Sequence, residues 1–346
     1  MGKQANFVKK TIKEKRKAYQ SKEWYTIRSI LGNDWAFFYI LLGARERGKS
    51  YSVMDYCLRQ WRYHDTPFTW IRLSEASTKK MLSNNASQMV DPDLYRKYNL
   101  DLKVKGNQVF DNDRLMANVL SISTAHNDKG VALFDNEFEG NFNIVLDEFQ
   151  LEKSQRRTFD VSYNLVVELE NLVRSRKEKI RIFMIGNTTE EASDILSMFN
   201  FIPQDFGVYK LRSKRCVIDY MPNSEAYITR RKGTVGDILA GNTSNFTNNI
   251  ETDVSLINKK RLHKPQYIIK FSKDKSNWFT VWDGNIIAKY NKEIKPGVAM
   301  KRYIDEVFMP EQRDAIFEME GARAFRFHNL ITQKQFRYQL SLIKKQ

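Results

Sequence analysis

Residues 43–50 read Gly43-Ala44-Arg45-Glu46-Arg47-Gly48-Lys49-Ser50, a complete match to GxxxxGK[ST]. This pattern constrains the fold because its chemistry works only between a buried strand and a helix. The stretch before it, WAFFYILL at 35–42, is short, aromatic and aliphatic, as a strand buried on both faces should be. After it, Tyr51, Val53, Met54, Cys57, Leu58 and Trp61 recur at helical spacing. Gly43 and Gly48 permit the dihedrals that wrap the loop's amides, those of Ala44, Arg45, Glu46 and Arg47 between them, around a phosphate. The helix beginning near Lys49 aims its positive dipole end at the same anion. In this reading Lys49 reaches the β- and γ-phosphates and the Ser50 hydroxyl ligates Mg²⁺. Arg45 and Arg47 either act in cis on the phosphates or point to solvent.

The remainder of the chain supplies the partners such a loop needs. PFTWIRL at 67–73, FNIVL at 142–146 and IRIFMI at 180–185 read as strands, and 162–174 as an amphipathic helix. The alternation around Gly106 reads as a hairpin continued by 115–123. Strand, helix, strand, helix, strand is the signature of a parallel α/β sheet. FNIVL runs directly into Asp147 and Glu148. Asp147 is placed to hold Mg²⁺ through water, and Glu148 to orient and polarise the attacking water. IRIFMI ends at Gly186-Asn187, which makes Asn187 a candidate γ-phosphate sensor. Upstream, Arg174 and Arg176 frame an Arg-Ser-Arg turn, from which an arginine could project into a neighbouring subunit's site or lie on a solvated basic face.

The nucleotide follows by exclusion. Asn187-Thr188-Thr189-Glu190 does not supply the Asn-Lys-x-Asp that reads guanine. A glutamate beside the Mg²⁺-binding aspartate favours hydrolysis by activated water over transfer to a small molecule. The expected class is an ATPase with an added catalytic glutamate and a strand between the two halves of the site, using ATP and Mg²⁺.

Charge divides the 346 residues unevenly. The net charge is +16, yet residues 1–30 carry nine bases against two acids, and residues 259–346 nineteen against nine. The stretch 31–258 holds 29 bases and 30 acids, so the excess belongs to the two ends and suits a polyanion. This predicts a basic arm at 1–30, an ATPase domain at 31–205, a Gly-, Asn- and Thr-rich linker region at 206–258 and a basic nucleic-acid-binding domain at 259–346. Residues 8–20 read as a basic helix or flexible arm. The start has no apolar core of a leader, and Asn6 does not suit myristoylation of Gly2. The longest apolar run, residues 35–44, is half the ~20 needed to span a bilayer. Two cysteines, Cys57 and Cys216, make no disulfide framework or zinc cluster and are expected as buried thiols.

GARERGKS at 43–50, IVLDEF at 144–149, VRSRKEKIRIFMIGN at 173–187 and SNWFTVWDGNIIAKY at 276–290 together resemble the phi-29-type phage DNA-packaging (encapsidation) ATPases. The resemblance implies a P-loop NTPase fold followed by a small α+β domain similar to an RNase H-like nuclease without a working acidic cluster. It also implies a ring of subunits, usually five, at the portal vertex of an empty prohead in the host cytoplasm, threading double-stranded DNA inward. By this resemblance Arg174 is the trans-acting arginine finger, with Arg176 as alternative, and Lys129 falls where the family has a lid lysine. A structural packaging RNA is a further implied partner, and no membrane is. Asp274, Asp283, Asp305 and Glu306 lack the spacing of a metal set, so the C-terminal domain is expected to grip nucleic acid rather than cut it. The alternatives are a conjugation or chromosome-segregation translocase, which would carry membrane segments or a longer chain, and a non-enzymatic nucleic-acid-binding scaffold.

Overall fold

The computed structural model describes residues 24–127, 141–150, 160–174, 176–187, 193–199, 201–203, 205–240, 255–258, 262, 265–271, 277–282, 285–290, 303–304 and 310–343. Lys129 and residues 8–20, expected as a lid lysine and a basic arm, lie outside them, as do Asp274, Asp283, Asp305 and Glu306. The chain divides into two compact units, Met1–Phe199 with Pro203–Ile250, and Asn200–Ile202 with Glu251–Gln346.

In the first unit the order is α1 (Arg28–Leu31), β1 (Phe38–Gly43), α2 (Lys49–His64), β2 (Phe68–Arg72), α3 (Glu75–Ala86), α4 (Pro92–Tyr98), β3 (Leu102–Lys105), β4 (Gln108–Asp111), β5 (Arg114–Ser121), β6 (Phe142–Asp147), α5 (Val161–Val173), β7 (Ile180–Asn187), α6 (Asp194–Met198), β8 (Gly207–Leu211), β9 (Cys216–Tyr220), α7 (Glu225–Arg231) and α8 (Val235–Ala240). One nine-stranded sheet runs β3-β4-β5-β2-β6-β7-β1-β9-β8. Its six central strands, β5 to β9 in that order, are parallel, and antiparallel pairs close both edges. Every residue of β6 and β9 is buried, as expected of interior strands of a parallel sheet covered on both faces. α2 lays Val53, Met54, Tyr56, Cys57, Leu58 and Trp61 on the core. Both thiols are buried; burial pushes the Cys57 thiol far up and that of Cys216 to about 12.

The topology positions the site. From β1 the chain crosses through α2 to β2, leaving the places between to be filled later by β7 and β6. β7 therefore lies between β1 and β6, the extra strand expected between the two halves of the site. A crevice opens where the order reverses, at the carboxyl ends of β1, β6 and β7.

Two expected boundaries move. Residues 24–30, placed in the basic arm, belong to the first unit's core: Tyr25, Ile27 and Ile30 are at most 5% exposed. The arm's charge count masked this apolar alternation. Residues 207–220, placed in the linker, are instead strands β8 and β9, and β9 is the second neighbour of β1. Their polar, turn-rich flanks suggested a boundary, whereas the apolar CVIDY segment fills the sheet.

The second unit holds β10 (Pro265–Lys270), β11 (Trp278–Trp282), β12 (Ile286–Lys289), β13 (Tyr303–Ile304), α9 (Pro310–Gly321), β14 (Arg326–Phe327) and α10 (Leu330–Ile343), with sheet order β13-β10-β11-β12-β14. α10 presses Phe336 among Phe271, Phe279, Phe325 and Phe327, with ring centroids 5.2–5.7 Å apart. Such an aromatic knot lets a small sheet hold a core of its own. Among the described residues no group of three or more acids, histidines or cysteines could hold a metal ion, and no helix is long and apolar enough to cross a membrane.

Candidate active site

β1 ends at Gly43 and the chain turns through residues 44–48 into α2. A Cβ at Gly43 would lie 2.5 Å from Met221 Cγ, so glycine here lets β1 and the start of the chain beyond β9 approach closely. Gly48 caps α2 at φ +80°, a left-handed conformation that side chains disfavour. The turn wraps its backbone over the positive end of a 16-residue helix.

Lys49 is 5% exposed. Its Nζ donates to the carbonyls of Gly43 at 2.9 Å and Ala44 at 2.7 Å, and to Asn187 Oδ1 at 3.2 Å. β7 and the loop of residues 43–50 thus meet on one amino group. Burial pulls that group down to about 7, with Asp147 opposing the shift and Arg47 and Arg45 adding to it. Phosphate oxygens would restore the charge.

Ser50 Oγ donates to Asp147 Oδ1 at 2.9 Å. The hydroxyl and the carboxylate therefore converge, although 97 residues separate them in sequence. Burial raises the Asp147 carboxyl above its ordinary range, and Arg72 works against this. Ser50 and Asp147 supply the sparse oxygen set that suits Mg²⁺, which keeps much of its water and shares phosphate oxygens.

Arg72, the last residue of β2, was not singled out by the sequence. Its Nη1 donates to Asp147 Oδ2 at 2.8 Å and its Nη2 to Glu148 Oε2 at 2.5 Å. One guanidinium spans both carboxylates. Glu148 sits at φ +55°, and its side chain is 57% exposed. A non-glycine residue in this region stores local strain, a common mark of a functional position. In the sequence it is only a base ending an apolar strand; the pairing of β2 with β6 sets it beside the acid pair. Ser50, Tyr51, Met54, Arg72 and Asp147 also line a cleft of about 550 Å³ that continues to Met81 and Asp91.

Arg47 corrects an expectation. It neither faces solvent nor acts on the phosphate side, because it is 1% exposed and turned behind the loop. Its Nη1 donates to Ser224 Oγ at 3.0 Å and its Nη2 to the Pro222 carbonyl at 3.2 Å, with the guanidinium 5.4 Å from the Tyr227 ring centroid. α7 adds further contacts to the same loop. Tyr227 donates its hydroxyl to the Arg45 carbonyl at 2.8 Å, Arg230 donates to the Glu46 carbonyl at 2.9 Å, and Arg231 pairs with the Glu46 carboxylate at 2.6 Å. Tyr25 N donates to the Arg47 carbonyl at 2.9 Å. The loop is braced from behind by residues on both chain ends of the unit. Arg45 and Glu46 have exposed side chains, and Ala44 is buried.

Arg174 lies outside this cluster. It caps α5 before β7 begins, exposed, at φ +51°. β7 must run from Ile180 to Asn187, seven steps or roughly 23 Å, before reaching its own subunit's site. Arg176 is at the same end, 5.2 Å from the Phe142 ring centroid.

The model of the podovirus DNA encapsidation protein (Gp16) family matches residues 20–345. The chain belongs to this family. It is a phage DNA-packaging motor protein, which separates it from the conjugation and segregation translocases. The solved structure "The Phi-28 gp11 DNA packaging Motor" has a TM-score of 0.65 at 15% identity, covering 93% of this chain and 98% of that one. "The bacteriophage Phi-29 viral genome packaging motor assembly" has a TM-score of 0.60 at 18% identity, covering 93% and 99%. At these identities the likeness concerns the fold, and both units are included in it. No curated protein sequence matches the chain.

Proposed function

We propose that this encapsidation protein hydrolyses ATP with Mg²⁺ at the loop of residues 43–50 and couples turnover to movement of double-stranded DNA into a capsid. The observation that carries the reading is the convergence of Lys49, Ser50, Asp147, Glu148 and Asn187 at the ends of three parallel strands, β1, β6 and β7. Mg²⁺, when bound, neutralises charge on the β- and γ-phosphates. The loop amides of residues 44–48 and Lys49 hold the phosphates, and Ser50 and Asp147 hold the ion. Glu148, released from Arg72, orients a water for in-line attack. Asn187, hydrogen-bonded to Lys49, reports the γ-phosphate to β7.

The finger reading of Arg174 is supported by its distance from its own site, which leaves a neighbouring subunit's site as its target. A ring of five at the portal vertex of the prohead, in the host cytoplasm, fits that requirement. One of the structures this chain is similar to is described as a viral genome packaging motor assembly, which supports an oligomeric motor. A packaging RNA, Lys129 as a lid residue and DNA grip by residues 259–346 belong to the same proposal, the last supported by that segment's ten surplus positive charges.

Glu148→Gln tests the assignment. ATP binding, read with a fluorescent analogue, should persist, while turnover falls by roughly 10²–10⁴-fold, the size of a lost general base. Hydrolysis near the parent rate would remove Glu148 from the mechanism.

A further inference from the structure

Residues 31–258 are almost neutral in sum, yet their bases are not spread evenly. Segments 174–181 and 210–215 hold nine bases, Arg174, Arg176, Lys177, Lys179, Arg181, Lys210, Arg212, Lys214 and Arg215, against one acid, Glu178. Backbone contacts bring both segments to one end of the sheet. The Arg215 carbonyl accepts from Phe37 N and Phe38 N at 2.8 and 3.0 Å, the Phe37 carbonyl from Ile182 N at 2.7 Å, and the Lys179 carbonyl from Phe142 N at 2.6 Å. The turn before β9 and the loop before β7 are thus two strand spacings apart, about 10 Å. This is the end opposite the phosphate loop. The acids nearby are Asp34, which is paired with Arg181 at 2.8 Å, and Glu170, one turn before Arg174.

The β8–β9 turn is built for more than solubility. Arg212 and Arg215 lie over the Trp35 and Phe37 rings at 4.2 and 3.4 Å, and Arg215 Nε donates to the Trp35 carbonyl at 3.0 Å. Lys210, Arg212, Lys214 and Arg215 are all exposed. Among the described residues none of them pairs with an acid. Stacking fixes the plane of a guanidinium while leaving its outward N–H donors to meet two oxygens of a phosphate. Four exposed bases in one turn, none paired with an acid among the described residues, suit the charge of a sugar–phosphate backbone.

We propose that this end of the first unit, centred on Lys210, Arg212, Lys214 and Arg215, docks the phosphodiester backbone of a nucleic-acid duplex. The site is separate from the basic ends of the chain and requires neither nucleotide nor hydrolysis, so its failure would leave the active-site reading untouched. The test uses the full chain with a fluorescent 30-bp DNA duplex and an RNA duplex of the same sequence, titrated between 50 and 200 mM NaCl. In Arg212→Gln/Lys214→Gln two phosphate contacts are lost, and the slope of log K against log[NaCl] should flatten by about 1.8. The four-fold salt range then changes affinity by about 12-fold less than in the parent. Lys214→Gln alone, at an exposed side chain with no hydrogen bond or ion pair among the described residues, should flatten it by about 0.9. A fall with one duplex only identifies which nucleic acid docks there, and a fall with both assigns the shared backbone. Unchanged slopes with both duplexes, or an equal fall in the control Lys79→Gln/Lys103→Gln, would overturn the proposal.

Discussion

Arg47→Ala measures whether the segment from Pro222 to Tyr227 truly braces the loop of residues 43–50. The guanidinium is 1% exposed and gives two charge-assisted hydrogen bonds, to Ser224 Oγ at 3.0 Å and the Pro222 carbonyl at 3.2 Å. Each such bond contributes about 1.5–3 kcal/mol, and the Tyr227 contact about 1 more. Desolvating the charge offsets part of this, leaving a net loss of about 2–4 kcal/mol. For a unit of this size each kcal/mol moves the melting midpoint by about 2–4 °C, so Tm should fall by about 4–16 °C. Arg47→Met keeps the aliphatic stem and should lose less. Arg45→Ala, at an exposed side chain two residues away, should stay within about 0.5 kcal/mol. Scanning calorimetry of the three variants, with ATP affinity measured alongside, checks the ranking. An Arg47→Ala midpoint within 1 °C of the parent, with Arg45→Ala lower, would refute the brace and return Arg47 to the phosphate side.

Other outcomes follow from the same geometry. Arg72→Ala removes the base that lowers the buried Asp147 carboxyl, so the acidic limb of the ATPase pH profile should move to higher pH; an unmoved limb would show that Arg72 does not act on Asp147. Lys49, at about 7 in the free protein, is mostly neutral at pH 8, and phosphate binding should reprotonate it. Calorimetric titration of ATP in buffers of different ionisation enthalpy should therefore report uptake approaching one proton at pH 8 and less at pH 6, and buffer-independent heats would contradict this. Mixing inactive Arg174→Ala subunits with inactive Glu148→Gln subunits should partly recover ATPase activity, because an intact finger can then face an intact site; no recovery at any ratio would exclude a trans role.

The loop at 43–50, the strand into Asp147-Glu148 and the strand into Asn187 were legible because each is a local pattern: glycines at fixed offsets, and apolar runs ending in a polar residue. The finger candidates were legible only as a basic turn. Arg72 was not visible, since its role comes from β2 lying beside β6, a pairing between residues about 75 apart. Arg47 was misread for a similar reason. Within the motif it is one of two arginines, and only the segment from Pro222 to Tyr227, some 175 residues later, turns it inward. Likewise residues 24–30 and 207–220 were assigned by composition, which charge and turn residues dominate, while a few apolar side chains decided where they pack.

The amino-acid sequence alone therefore determined the residue types available: a glycine-bounded loop ending in Lys49 and Ser50, an adjacent acid pair after an apolar strand, and two basic ends. Backbone dihedrals and burial periodicity are short-range properties, so they are written in adjacent residues. Tertiary structure alone decided which charges meet. It paired one arginine with both carboxylates, folded another behind the loop, and gathered the bases of a neutral stretch at one end of the sheet. Side-chain electrostatics depends on distance in space, and strand order sets that distance.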